Sequence, residues 1–139
     1  MEASADAEKC DICGMSILLV EDNELNTEIA QTLLEHDGAL VTTAANGKEA
    51  LELFQAKPAG AFDAILMDVM MPEMNGYEAT RAIRLCDKPD AADVPIIAMT
   101  ANAFIEDVAR TKESGMNDHL SKPIEIEKLK ATLAKYHVR

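Results

Sequence analysis

The chain has 139 residues, 48% hydrophobic and 27% charged, enough for one domain with a proper buried core. Thirteen basic residues against 25 acidic ones leave a formal charge of −12, which disfavours nucleic-acid backbones and anionic membranes and suits metal ions or basic partners. No apolar run approaches the roughly 18 residues that span a bilayer, and the first nine residues lack the apolar stretch of a secretory signal, so a cytoplasmic location without direct membrane contact is expected.

Residues 1–14 are small and charged without periodicity and read as a linker or tail; the domain is expected over 15–139. Cys10 and Cys13 form C-D-I-C, while Cys86 stands apart. A zinc site needs about four ligands, and no second pair completes one. A redox C-x-x-C usually opens a helix, whereas this one precedes the first strand. The pair therefore reads as plain tail thiols.

Ser16 to Val20 is an apolar run that predicts a buried strand, ended by Glu21-Asp22-Asn23. A helix follows, with Leu25, Ile29 and Leu33 predicted as its core face from their spacing. Ala39 to Ala44 alternates weakly, as a strand near a sheet edge would. Asn46-Gly47 turns the chain into a helix marked by Ala50, Leu51 and Phe54. Ala64 to Met67 predicts a third buried strand, and Asp68 follows it at once. A carboxylate there is costly unless it has partners. Pro72 and Asn75-Gly76 bend the chain toward a helix over about Glu73 to Cys86, with Ala79, Ile83 and Cys86 on one side and Arg81 and Arg84 on another. Val94 to Thr100 predicts a fourth strand, with Pro95 tolerated near its start. Phe104 to Ser114 can be helical with a thin apolar stripe, which suits a loosely held element. Asp118 to Ser121 is a short fifth strand, and Ile126, Leu129, Leu133 and Tyr136 mark the last helix.

Five strand–helix pairs in strict alternation predict an α/β fold: a doubly wound, five-stranded parallel sheet with helices on both faces. In such sheets ligands bind beyond the carboxyl ends of the strands. Those ends carry Glu21-Asp22, Asp68, Thr100 and Lys122. Three crowded carboxylates repel one another unless a cation intervenes, and magnesium prefers oxygen ligands of this kind. Lys122 offers a point charge and Thr100 a hydroxyl to a phosphoryl oxygen. A carboxylate nucleophile in that company is suited to forming an aspartyl phosphate. Taken singly the residues have plainer readings. An acidic pair can cap a helix, a strand-end Thr reflects β-propensity, and a Lys before Pro marks an exposed turn. Their convergence on one rim favours the chemical reading.

Four segments, Ile17–Asn23, Leu66–Gly76, Pro95–Ala101 and Leu120–Pro123, resemble a response-regulator receiver domain of two-component signalling. Val20 to Asn26 and Thr100 to Ala103 most resemble receivers of hybrid sensor histidine kinases. The resemblance implies a flavodoxin-like sheet of order 2-1-3-4-5. It implies that Asp68 accepts a phosphoryl group from a phosphohistidine. It implies that Glu21, Asp22, Asp68 and the Met70 backbone carbonyl hold Mg2+ or Mn2+, and that Lys122 and Thr100 bind the phosphoryl group. The implied partners are a sensor histidine kinase or a histidine phosphotransfer protein, with a homodimer through the fourth helix, fifth strand and fifth helix as a further option. Such a module promotes its own phosphorylation and dephosphorylation and is not a conventional enzyme. One departure is His119, where relatives usually carry Tyr or Phe; it is a candidate pH-sensitive switch.

Other readings fit less well. A haloacid-dehalogenase-type phosphatase needs a second acid two residues after its nucleophile, and Met70 stands there. A flavodoxin-like cofactor binder needs a phosphate-cradling loop after the first strand, where Glu21-Asp22 would repel phosphate. A degenerate receiver would have lost some of the acids, Thr100 or Lys122. The five pairs leave no room for a DNA-binding output domain, so signalling by relay or protein contact is expected.

Overall fold

Short apolar runs bounded by turn residues become strands that bury both of their faces. The computed structural model describes residues 12–58, 60–69, 74–100, 112–121 and 125–136. The strands are β1 (Ser16–Val20), β2 (Leu40–Ala44), β3 (Ala64–Asp68), β4 (Ile96–Thr100) and β5 (Asp118–Ser121). Every pairing is parallel and the order is β2-β1-β3-β4-β5, the doubly wound arrangement expected. β3 and β4 are buried along their whole length, whereas edge strand β2 is mostly half-exposed, which accounts for its weak alternation.

The period of two sends alternate side chains into two separate cores. Leu18, Val20, Ile65 and Met67 meet Phe54 of α2 (Gly47–Ala56) and Ile83 of α3 (Gly76–Leu85). Ile17, Leu19, Leu66 and Ile97 meet Leu34 of α1 (Glu24–His36) and Leu129 and Leu133 of the C-terminal helix, Ile126–Ala134. Each such side chain, once fully buried, contributes about 1.5–3 kcal/mol of transfer free energy.

α1 turns a different face inward from the one its leucine spacing predicts. Ala30 and Leu34 are buried, while Leu25 and Ile29 are 65% and 52% exposed. The cause lies at the helix start. Asn23 Oδ1 caps the Asn26 N–H at 3.0 Å, and Thr27 Oγ1 donates to the Glu21 carbonyl at 3.3 Å. These bonds set the rotation of α1 relative to β1, and the small Ala30 lets the helix approach the sheet.

α3 begins at Gly76, later than Glu73, because Asn75 and Glu78 form a reciprocal capping box. β4 begins at Ile96, although the Pro95 carbonyl still accepts from the Ile65 N–H at 2.8 Å. Most of the helix expected over 104–114 lies outside the described residues, whose helical part there is 112–114.

Packing starts ahead of β1. Ile12 and Met15 are fully buried in the α1-side core. The Gly14 N–H donates to the Gly38 carbonyl, and the Leu40 N–H to the Met15 carbonyl, both at 2.9 Å. Cys13 is disulfide-bonded, which corrects its reading as a plain thiol; Cys10 lies outside the described residues. Sequence spacing could not show that this segment folds back against the α1–β2 turn. Gly38 holds that turn at φ +92°, where a Cβ would come 2.9 Å from the Cys13 sulfur.

Candidate functional site

β1 and β3 are neighbours with Val20 beside Met67, so Glu21-Asp22 and Asp68 emerge together at the carboxyl rim. One ligand oxygen from each of Glu21, Asp22 and Asp68 lies within 4.8 Å of the others. Asp68 and Glu21 are buried, and Asp22 opens to solvent. Glu21 is fixed from two sides: its N–H donates to the Ala44 carbonyl at 3.1 Å, and its Oε2 accepts from the Asn23 N–H at 3.3 Å.

The end of β3 is held tightly. Val69 N–H donates to the Met99 carbonyl and Gly76 N–H to the Val69 carbonyl, both at 3.0 Å. A Cβ on Gly76 would sit 2.4 Å from the Asp68 carbonyl oxygen, so the start of α3 lies hard against the backbone that carries Asp68. The sequence signal for this was Asn75-Gly76, which reads as a turn and gives no hint of close approach.

Thr100 is buried and ends β4, one residue past Met99, the register partner of Asp68. Ser121 pairs with Thr100 at the end of β5, and His119 is half-buried opposite Ala98. Of the predicted site residues, the structure thus brings Glu21, Asp22 and Asp68 together and puts Thr100 on the same rim. Met70 and Lys122 lie outside the described residues.

Two unit charges 4 Å apart near a protein surface interact by about 4 kcal/mol, so three clustered carboxylates invite a cation. The donor set is all carboxylate oxygen, without sulfur or imidazole, and one side is open to water. That fits Mg2+ or Mn2+, which take oxygen ligands and keep several waters. Beside the cluster an open groove of about 380 Å³ runs between α1 and the β2–α2 connection, lined by Glu24, Glu28, Thr43 and Glu49 among others.

A doubly wound parallel sheet with an acid cluster at its carboxyl rim defines the general class, an α/β module with a rim site. The model of the response regulator receiver domain matches residues 17–134, and the chain belongs to that family. It is a receiver domain of two-component signalling. It is 41% identical over 131 residues to hybrid signal transduction histidine kinase B of Dictyostelium discoideum, a match covering 88% of this chain and 6% of that protein. It is 40% identical over 121 residues to the sensor histidine kinase GacS of Pseudomonas protegens, covering 86% of this chain and 13% of that protein. The chain therefore spans only a small part of the curated relatives it matches.

Among solved structures, it resembles the receiver domain of a sensor histidine kinase from Pseudomonas aeruginosa, which has a magnesium ion coordinated in its active-site cleft. The TM-score is 0.79 at 40% identity, covering 89% of this chain and 98% of that one. It also resembles the receiver domain of a Saccharomyces cerevisiae response regulator co-crystallised with a histidine phosphotransfer protein. There the TM-score is 0.78 at 28% identity, with 90% of each chain covered.

Proposed function

We propose that this receiver accepts a phosphoryl group from a phosphohistidine onto Asp68, with a divalent cation, and relays the signal by conformational change or onward transfer. The observation that carries the reading is the convergence of Glu21, Asp22 and Asp68 within 4.8 Å at one rim. An Asp68 carboxylate oxygen forms a bond to phosphorus as the phosphorus–nitrogen bond of the donor breaks, and the electron pair leaves on the imidazole nitrogen. Glu21, Asp22, Asp68 and the Met70 carbonyl are the residues that would hold Mg2+ or Mn2+. The cation supplies charge neutralisation for the phosphoryl oxygens. Thr100 donates its hydroxyl and Lys122 its charge to those oxygens. The burial of Asp68 limits the access of water to the acyl phosphate. Hydrolysis of that bond returns the carboxylate, so the domain acts on its own side chain and not on a separate turnover substrate.

The donor or acceptor partner is a histidine kinase or a histidine phosphotransfer protein, a pairing supported by the yeast complex. Leu25 and Ile29, exposed on α1 just after Asp22, suit a docking patch for it. Among the described residues no helix is long and apolar enough to cross a membrane, which suits a cytoplasmic site of action. His119 is proposed as a secondary influence on how Thr100 is read out. Unchanged partner affinity in His119→Tyr, in both phosphorylation states, removes that role.

Incubation with Mg2+ and acetyl phosphate, followed by intact mass spectrometry, tests the central claim. Wild type should gain one phosphoryl group and Asp68→Asn none. An unlabelled wild type, or equal labelling of the two, contradicts the assignment. Ile29→Glu should slow transfer from a phosphorylated histidine phosphotransfer protein while leaving labelling by acetyl phosphate unchanged.

A further inference from the structure

Arg84 lies in the last turn of α3, where its charge suits the helix C-terminus, yet it reaches well beyond that helix. Its Nε and one terminal nitrogen donate to the Gly115 carbonyl at 3.0 and 2.8 Å. The other terminal nitrogen donates to the Ala91 and Val94 carbonyls at 3.1 and 2.7 Å. The first also donates to Asn117 Oδ1 at 2.7 Å. Asn117 is itself tied to the start of β4: its Oδ1 accepts from the Ile96 N–H at 2.8 Å, and its own N–H donates to the Ile96 carbonyl at 2.7 Å. One guanidinium therefore gathers the entrances of β4 and β5.

This arrangement needs arginine. Four acceptors in different directions match the rigid guanidinium fork, and an ammonium group cannot serve them all. Burial lowers the pKa of Arg84, and the charge of Asp93 offsets this only in part. The side chain thus accepts a desolvation cost, which its charge-assisted hydrogen bonds answer.

The position of these entrances decides what stands at the exits. β4 runs from Ile96 to Thr100 and β5 from Asp118 to Ser121, in a register that sets Thr100 beside Ser121. Lys122 follows Ser121 in the sequence. The acid cluster rises instead from the ends of β1 and β3, whose entrances are joined by Asp63 and Ser16, with Asp63 Oδ2 accepting from the Ser16 N–H at 2.8 Å. The rim thus has an acid half on β1 and β3 and a phosphoryl-contacting half on β4 and β5. Among the described residues, the Arg84 side chain bonds only to the segments that lead into the second half.

We infer that Arg84 is a positioning residue for phosphoryl transfer, clamping the entrances of β4 and β5 so that Thr100 and the end of β5 stand at the correct distance from Asp68. The inference rests on the reading of Asp68 as the phosphoacceptor. Its distinguishing consequence is a split. Loss of the clamp disturbs phosphoryl binding and transfer and leaves cation binding in place.

The test compares wild type, Arg84→Lys and Asn117→Ala, each at a temperature where circular dichroism shows it folded. Three quantities are measured: Mg2+ affinity by calorimetry, affinity for the phosphoryl mimic beryllofluoride in saturating Mg2+, and the rate of Asp68 labelling by acetyl phosphate. Mg2+ affinity should stay within about twofold, because the acids are remote from the clamp. The labelling rate and beryllofluoride affinity should fall roughly tenfold in Arg84→Lys and in the same direction in Asn117→Ala, since small misplacements of reacting groups are costly. Should Arg84→Lys not fold, Asn117→Ala alone decides the matter. Variants that match wild type in labelling and mimic binding overturn the inference. So does a parallel fall in Mg2+ affinity, which means a general loss of structure. A wild type that takes no phosphoryl group overturns the reading of Asp68 as the phosphoacceptor and the inference with it, an outcome distinct from the other two.

Discussion

The two ends of the same five strands are built on opposite terms. At the amino ends, two sets of polar groups are matched. Asp63 accepts from the Ser16 N–H and donates its own N–H to the Ser16 carbonyl at 2.7 Å. Arg84 serves acceptors on Ala91, Val94, Gly115 and Asn117. At the carboxyl ends, three carboxylates share one small space, and Asp68 and Glu21 are buried there. Matched hydrogen bonds stabilise a fold, whereas clustered like charges oppose it. The comparison teaches that stability and chemistry are assigned to opposite ends, with short rigid strands carrying position from one to the other.

The sharpest way to break the contrast is at Gly76, where the rim itself depends on backbone packing. Gly76→Ala places a methyl 2.4 Å from the Asp68 carbonyl oxygen and 2.9 Å from the Val69 Cα, so the start of α3 must shift. The expected loss is about 3 kcal/mol, read from urea denaturation. A stability close to wild type would mean that the rim is looser than its close contacts imply.

The next effect tests charge crowding directly. With Mg2+ at a hundred times its dissociation constant, wild type should gain about 2.7 kcal/mol of stability. In chelator, Asp68→Asn should be more stable than wild type by about 1 kcal/mol, because one of three repelling charges is gone. The variant should also lose most of the Mg2+-dependent rise in melting temperature. If Asp68→Asn is the less stable protein in chelator, crowding is not what distinguishes this end.

At the opposite end, Asp63→Ala removes the acceptor for the Ser16 N–H and should cost about 1–2 kcal/mol by thermal or urea unfolding. Mg2+ affinity measured by calorimetry should be unchanged. A fall in both would show that the two ends are not separable.

The smallest effect is a pH dependence at the same amino end. Tyr136 donates to Asp118 Oδ2 at 3.3 Å. Burial, with the charge of Asp118 and this hydrogen bond, raises the Tyr136 pKa above its ordinary 10.0. The folded state thus favours the neutral phenol. Its contribution is complete below the unfolded pKa and is lost as pH rises through the higher folded one. Tyr136→Phe should flatten that alkaline part of the stability curve. An unchanged slope in denaturation series above pH 9.5 or so rules the contribution out, given an unfolded tyrosine pKa near 10.

Much of the molecule is legible from the chain because its signals are local. Apolar runs between Gly, Pro and Asn predict the strands, and alternation with helices predicts a parallel sheet. Strand ends that carry Glu21, Asp22, Asp68 and Thr100 then fall on one rim by topology alone. The misreadings arise where a specific contact, near or far along the chain, overrides periodicity. Leu25 and Ile29 have helix spacing, but the cap at Asn23 and the Thr27 bond to Glu21 decide which face meets the sheet. Cys13 reads as part of a tail until the fold brings it against Gly38. Arg84 reads as a surface charge on α3 until four separate acceptors converge on it.

Residue order by itself determines the strand–helix alternation, the order in which acids and hydroxyl reach the strand ends, and the small or turn-forming residues that let the chain bend between them. Those are properties of periodicity and local backbone preference, which act over a few residues. Tertiary structure alone decides that three carboxylates come within 4.8 Å, that Gly76 must lack a side chain, and that Arg84 locks two strand entrances together. The carboxylate cluster and the Arg84 bonds join segments that meet only after the sheet has formed, and the Gly76 contact depends on how the β3–α3 connection closes back on Val69, so none of them follows from periodicity alone.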